Sequence, residues 1–271
     1  MKWPKYATVG PKTGECNICG LHGNLTEDHI PPKGAIRVTQ MEMRHLIEVL
    51  SAPGSLSKGR LSQNGVKFRT ICPRCNNKLL GRCYDPELIQ FTKSVGTLLK
   101  SSLKLPPRIN VNLVPQKVLR AVIGHMLAFG LGRPASGPFE EAMAKYFLDN
   151  TKALPPDINL YYWIYLHQAQ VIVRDAALTN LRVKEPVIFK LLKFFPLAFF
   201  ATWKEPLGYN FQFETLSKFS GRPLNASSST VIDLRFIPNI HWPEAPSKDT
   251  VVLYGADAMW ANGYEHSWQQ R

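Results

Sequence analysis

The sequence predicts an α+β protein in which a small zinc-bound module is followed by a helical middle and a mixed or β-rich C-terminal part. Two Cys-x-x-Cys pairs predict the module: Cys16 with Cys19, and Cys72 with Cys75. Apolar residues at helical spacing predict the middle, and runs of β-branched and aromatic residues from about residue 159 predict the strands.

The N-terminal elements are organised around the cysteines. Residues 16–32 predict a zinc knuckle, a turn over 20–23 and a strand that begins near Leu25. Apolar side chains at positions 43, 46, 47 and 50 predict a short amphipathic helix over 41–50. Residues 66–71 alternate as a strand that leads into the second cysteine pair, and a helix is expected from about Cys75.

In the rest of the sequence, helical patterns give way to strand patterns at about residue 159. Asp85-Pro86-Glu87 predicts a helix start, with Asp85 as N-cap and Pro86 in the first turn. This helix and two more are expected over 85–102, 115–131 and 138–148, and strands over 159–167, 170–173, 198–203, 209–213, 231–236 and 251–254. We therefore divide the chain into a zinc-bound domain, 1–105, and an α+β C-terminal domain, 106–271.

Net charge and hydropathy favour a protein that binds a polyanion and argue against a membrane protein. The net charge is +13, and residues 1–105 carry 16 Lys and Arg against 7 Asp and Glu, while residues 106–271 carry 17 against 13. This excess around the cysteines is typical of a surface that binds a polyanion. No uncharged apolar run reaches the roughly 18 residues that a membrane span needs. Because the N-terminus also lacks the apolar core of a signal peptide, we expect a cytoplasmic protein with no membrane partner.

The two cysteine pairs predict a structural zinc site. Zinc takes four tetrahedral ligands, and each Cys-x-x-Cys pair can supply two of them. A closed four-sulfur site has no open position, so this zinc is not expected to take part in a reaction. A disulfide framework or a redox dithiol fits two matched pairs less well. The fifth cysteine, Cys83, is expected to be an ordinary buried or half-buried thiol.

Two polar groups sit close to the cysteines in the sequence. The step Asp28-His29-Ile30-Pro31 lies between the pairs, and Asn76 directly follows Cys75. On a strand, Asp28 and His29 point to opposite faces, and an isolated Asp-His step is usually an ordinary surface feature. In this context, however, residues 14–85 resemble the HNH endonuclease family, whose zinc-stapled ββα-metal (treble-clef) module combines these elements.

The resemblance implies a role for each group. His29 would be the general base that activates water, and imidazole titrates near neutrality, which suits that role. Asp28 and Asn76 would hold one catalytic divalent ion, Mg²⁺ or Mn²⁺, and Asn77 is the alternative ligand. The family's middle Asn is displaced: Lys67 occupies its usual place, and Asn64 lies three residues earlier.

The expected partner is nucleic acid, most of all double-stranded DNA. Seven basic residues flank the motif and are expected to contact phosphates: Lys33, Arg37, Lys67, Arg69, Arg74, Lys78 and Arg82. The sequence thus predicts a metal-dependent HNH-type endonuclease that cuts DNA, in bacterial restriction or antiphage defence. The alternative is a catalytically degenerate, zinc-bound nucleic-acid-binding or scaffold subunit. In either case residues 106–271 are expected to carry a protein partner or homo-oligomer surface.

Overall fold

The computed structural model describes residues 7–37, 39–51, 56, 58–183, 185–246 and 248–263. It is a mixed α+β structure, as predicted. Its helices are α1 (Leu46–Ser51), a π-helix (Arg74–Tyr84), α2 (Asp85–Leu99), α3 (Pro115–Ala128), α4 (Pro138–Leu148) and a short 3-10 turn (Ser217–Phe219).

The strands of the described residues fall into one large sheet and three two-stranded ribbons. They are β1 (Thr13–Glu15), β2 (His22–Asn24), β3 (Thr26–His29), β4 (Met41–His45), β5 (Arg60–Ser62), β6 (Lys67–Ile71), β7 (Arg108–Leu113), β8 (Ile158–Ile164), β9 (Gln170–Asn180), β10 (Pro186–Phe194), β11 (Leu197–Trp203), β12 (Glu214–Thr215), β13 (Ser228–Asp233), β14 (Thr250–Tyr254) and β15 (Ala258–Gly263). The ribbons are β1–β2, β3–β6 and β7–β13.

The large sheet combines strands from both ends of the chain. Its order is β12-β8-β11-β10-β9-β15-β4-β5, and β14 pairs with the second half of β9, beyond the residues of β9 that pair with β15. The strands β4 and β5 come from residues 1–105 and the others from residues 106–271. The division into two domains at residue 105 stays a prediction, and this sheet takes strands from both sides of it.

Helix α3 lies at the centre of the molecule. Every residue of α3 except Lys117 is buried. The helix packs against α2, α4 and the π-helix, and it also contacts β6 of the N-terminal part and β9 and β10 of the large sheet. Just past its end, the ring of Phe129 meets Phe68 of β6 edge-on, with 5.0 Å between centroids. Because α3 is apolar and buried on all sides, it packs against both the cysteine module and the large sheet and connects them.

The predicted helix over 41–50 is wrong in its first half. Residues 41–45 form β4, and only Leu46–Ser51 is helical. Met41 and Met43 are both buried, as alternate residues of a strand, and β4 pairs with β15, some 200 residues later in the chain. Because helical and strand periodicities overlap over so short a stretch, the distant partner decides the outcome.

The C-terminal part also differs from the predicted elements. Residues 209–213 form a loop instead of a strand, and the Phe211 ring packs on Phe200 with 5.1 Å between centroids. Strand β10 was not predicted, because Lys190 and Lys193 interrupt its apolar pattern. Both lysines are buried and paired with carboxylates, Lys190 with Glu140 and Asp175, and Lys193 with Glu244.

Candidate functional site

The four predicted zinc ligands lie together. Their sulfur atoms are all within 4.8 Å of one another, and the Sγ atoms of Cys19 and Cys72 are 3.8 Å apart. A tetrahedral zinc with Zn–S bonds of about 2.3 Å places its sulfurs about 3.8 Å apart. Cys16 and Cys19 come from the turn between β1 and β2, and Cys72 and Cys75 from the junction of β6 and the π-helix. The cluster therefore could bind a metal such as zinc.

The environment of the sulfurs favours a metal over free thiols. The Cys72 backbone N–H donates a hydrogen bond to Cys16 Sγ at 3.3 Å. A hydrogen bond from Cys75 lowers the pKa of Cys16 to about 5, whereas burial raises the pKa of Cys19 to about 11. The hydrogen bond to Cys16, together with burial, also raises the pKa of Cys75, so without a cation Cys16, Cys19 and Cys75 do not all ionise together. A bound zinc would ionise all four, with release of protons.

The cysteine cluster joins a β-ribbon to a helix. Strand β3 pairs with β6, with Asp28 opposite Phe68 and His29 opposite Lys67, and the π-helix follows β6 directly. Asn76 lies on the first turn of this helix and donates from Nδ2 to the Glu27 carbonyl at 2.9 Å and to Thr26 Oγ1 at 2.9 Å. Its Oδ1 receives no hydrogen bond from a described residue. Asn77 is exposed, so the structure brings Asn76, and not Asn77, against β3.

His29 is half-buried on the outer face of β3. Its Nε2 lies 3.0 Å from the backbone carbonyl oxygen of Asn64. A carbonyl only accepts hydrogen bonds, so Nε2 carries a proton, and in the neutral ring Nδ1 holds the free lone pair. Among the described residues Nδ1 has no hydrogen-bond partner. The arrangement leaves one ring nitrogen of His29 available as a base.

The Asn64 carbonyl is presented by a tight turn. Asn64 has φ of 59° and Gly65 has φ of 85°, so both residues occupy the left-handed region. Asn-Gly is the residue pair best suited to this conformation, because glycine has no Cβ and Asn tolerates positive φ. Asn64 is thus a residue that positions His29 through its backbone. Lys67, which occupies the position where such an Asn was expected, lies directly opposite His29 on β6.

Asp28 points to the opposite face from His29, as the alternation of a strand requires. Its carboxylate is buried, and Oδ2 accepts a hydrogen bond from His125 Nδ1 of α3 at 3.1 Å. His125 Nε2 donates in turn to Asp85 Oδ1 at 3.0 Å. Burial opposes the charged form of His125, but the carboxylates of Asp85 and Asp28 outweigh it and raise its pKa to about 10. Asp28 Oδ1 has no hydrogen-bond donor among the described residues.

Sequence reasoning did not find His125 or Asp85. His125 is one of seven histidines in the sequence, and Asp85 was predicted to be a helix N-cap. That prediction is wrong, because the chain is already helical before Asp85: its backbone N–H donates to the Leu80 carbonyl, five residues earlier. The available signal was weak, namely one histidine within the apolar pattern of α3.

The predicted phosphate-contacting residues divide into two groups. Five are exposed and near the module: Lys33, Arg37, Arg74, Lys78 and Arg82. The other two, Lys67 and Arg69, are half-buried, and each forms an ion pair with Glu27 at 3.0 Å. The hydrogen bond from Lys67, helped by Arg69, lowers the pKa of Glu27. Glu27 therefore offsets one of the two positive charges beside His29.

Comparison of the chain with protein-family models, with curated proteins and with solved structures found no match. Within the described residues, no helix is long and apolar enough to cross a membrane. What can be inferred about function therefore rests on the geometry of the site.

Proposed function

We propose that this chain is a metal-dependent endonuclease of the HNH type that hydrolyses phosphodiester bonds in DNA, in bacterial restriction or antiphage defence. One observation carries the proposal: His29 is bonded through one ring nitrogen to the Asn64 carbonyl, on a strand that the cysteine cluster and Asn76 connect to the following helix. A base with a fixed ring and one free nitrogen is what water activation requires.

The proposed chemistry requires the base and the ion to act on one phosphate. His29 Nδ1 would take a proton from the water that attacks phosphorus. Asn76 Oδ1, at the start of the π-helix, and Asp28 Oδ1 would hold Mg²⁺ or Mn²⁺, both of which prefer such oxygen ligands. When bound, this ion supplies charge neutralisation at the scissile phosphate and the leaving oxygen.

The surface charge supports a nucleic-acid substrate. The five exposed basic residues near the module can contact backbone phosphates without reading sequence. Lys67 and Arg69 keep a combined charge of about +1 after their ion pairs with Glu27. We propose double-stranded DNA as the substrate, and a partner or second copy that binds through residues 106–271.

One observation favours the alternative function, a zinc-bound nucleic-acid-binding or scaffold subunit without activity. Asp28 is buried and already hydrogen-bonded to His125, so only one of its oxygens is left for a divalent ion. In that case neither Asp28 nor Asn76 would affect any reaction. Comparing neighbouring Asn variants separates the two functions.

We expect Asn76→Ala to lower the rate of cleavage of a labelled DNA duplex by about a hundredfold or more. A bound metal ion contributes several kcal/mol of transition-state stabilisation, part of which is lost with one of its ligands, and each 1.4 kcal/mol is about tenfold in rate. The measurement is single-turnover cleavage in Mg²⁺ and in Mn²⁺, with EDTA as the blank. Asn77→Ala is the matched control and should cleave like the wild type. Equal activity of all three proteins would remove Asn76 from the proposed site.

The Asn64 turn provides a second test, in which only the backbone matters. We expect Asn64→Gly to keep activity, because glycine adopts positive φ and retains the carbonyl that orients His29. Asn64→Val should lose activity at least about tenfold, because a β-branched residue disfavours this conformation by about 1–2 kcal/mol, which displaces the carbonyl. Cleavage rates of the two variants are compared at equal zinc content. A loss in Asn64→Gly as large as in Asn64→Val would show that the side chain matters instead.

A further inference from the structure

A buried chain of three polar side chains connects β3 to two helices. Asp28 of β3, His125 of α3 and Asp85 at the start of α2 are joined by hydrogen bonds of 3.1 Å and 3.0 Å. The side chain of His125 is 0% exposed, that of Asp28 6% and that of Asp85 11%. Burying three ionisable groups costs free energy unless each of them is hydrogen-bonded. The hydrogen-bonded set of Asp28, His125 and Asp85 is therefore a specific feature of the fold.

The two hydrogen bonds of His125 fix the orientation of Asp28. Because each ring nitrogen lies within hydrogen-bond distance of a carboxyl oxygen, the imidazole cannot rotate without breaking a contact. Among the described residues Asp28 is held through Oδ2 alone, which leaves Oδ1 free for the ion. Carboxylate ligands of metals are typically held by such outer hydrogen bonds, and losing one typically costs 10–100-fold in metal affinity or activity.

The position of His125 is itself fixed from both sides of α3. At Gly124, an added Cβ would lie 2.5 Å from the Phe147 ring of α4 and 2.7 Å from Leu80 of the π-helix, so these groups pack directly on the backbone of α3. The end of α3 is held by the cysteine module, since Thr70 Oγ1 donates to the Ala128 carbonyl at 2.6 Å and Asn17 Nδ2 to the Gly130 carbonyl at 2.7 Å.

The large sheet holds the same end of α3. Arg174 of β9 is 2% exposed and donates to the carbonyls of Leu127 at 2.7 Å, Phe129 at 2.6 Å and Arg133 at 2.8 Å. A charged guanidinium at the carboxyl end of a helix also suits the helix dipole. The place of His125 is therefore determined by contacts with both the cysteine module and the sheet.

We propose that His125 and Asp85 are positioning residues for the divalent-ion site, and that they aim Asp28 Oδ1 at the ion. This inference rests on the proposed function, because it assumes that Asp28 is a ligand. It adds that the metal site is completed by α3, from residues 106–271, and is not contained in the cysteine module. The C-terminal part is then a structural component of the reaction site as well as a surface for partners.

The test measures Mn²⁺ binding to the full-length, zinc-loaded protein by the EPR signal of free Mn²⁺, together with the Mn²⁺ concentration that gives half-maximal cleavage. We expect His125→Leu to weaken Mn²⁺ binding by about 10–100-fold. His125→Asn can still donate one N–H towards Asp28, so it should recover part of the affinity. Tyr146→Phe, which removes a buried hydrogen bond to Gln116 on the far side of α3, is the structural control and should leave Mn²⁺ affinity unchanged.

Asp85→Leu keeps His125 and removes only its contact with Asp85. It is therefore the variant to measure if His125→Leu does not fold. It should weaken Mn²⁺ binding in the same direction by a smaller factor, and Asp85→Asn, which retains an acceptor, should restore it. Wild-type affinity in His125→Leu or, where that variant does not fold, in Asp85→Leu would overturn this inference alone. Wild-type protein that binds no Mn²⁺ beside its zinc would overturn the proposed function with it.

Discussion

Replacing His29 with Ala should reduce DNA cleavage by about 10²–10⁴-fold, the usual contribution of a general base. The substitution removes Nδ1, the ring nitrogen with no hydrogen-bond partner among the described residues, and it leaves Asn76 and the four clustered cysteines untouched. The variant should therefore contain as much zinc as the wild type and bind DNA with similar affinity. Single-turnover rates at saturating Mg²⁺ measure the effect.

A histidine on the neighbouring β-ribbon provides the control for this experiment. His22 lies on β2, is exposed, and belongs to the same small module. His22→Ala should cleave DNA at the wild-type rate. If both histidine variants keep full activity, the base is elsewhere and the assignment of His29 is wrong.

Replacing Cys75 with Ser should remove the zinc and unfold the N-terminal module. Cys75 is fully buried, and its sulfur belongs to the four-sulfur cluster that ties the β1–β2 turn to the π-helix. Structural zinc contributes about 10–16 kcal/mol to the folding of small zinc-binding peptides, so losing one of four ligands should cost several kcal/mol. We expect zinc content to fall from one ion per chain to nearly none, with a lower midpoint of thermal unfolding.

The fifth cysteine is the matched control for zinc binding. Cys83 is half-buried on the same π-helix and lies outside the cluster. Cys83→Ser should retain one zinc and the wild-type unfolding midpoint. Full zinc content in Cys75→Ser, measured by elemental analysis, would contradict the four-cysteine site.

The sequence was most informative where chemistry is tied to local spacing. Each Cys-x-x-Cys pair restricts the chain to a turn that presents two sulfurs, and the structure brings all four sulfurs together. The alternation of Asp28 and His29 on β3 followed from strand geometry, and the helices that begin at Pro115 and Pro138 followed from the spacing of their apolar residues. These features depend on a few neighbouring residues, so no knowledge of the tertiary structure was needed.

What the sequence could not predict depends on contacts between distant residues. Strand β4 forms because β15 is there to pair with it, and Lys190 and Lys193 fit into β10 because Glu140, Asp175 and Glu244 reach them. The contact between Asp28 and His125 joins residues 97 positions apart, and nothing in the local pattern of α3 marks it. The same holds for the Asn64 carbonyl, whose partner His29 is 35 residues away.

The most direct test of the account is incubation of supercoiled plasmid DNA with purified, zinc-loaded protein in Mg²⁺ or Mn²⁺. We predict conversion to open circles and then to linear DNA, abolished by EDTA and by His29→Ala. Plasmid that stays supercoiled in every metal, although the protein retards it on a gel, would contradict the nuclease and favour the binding subunit.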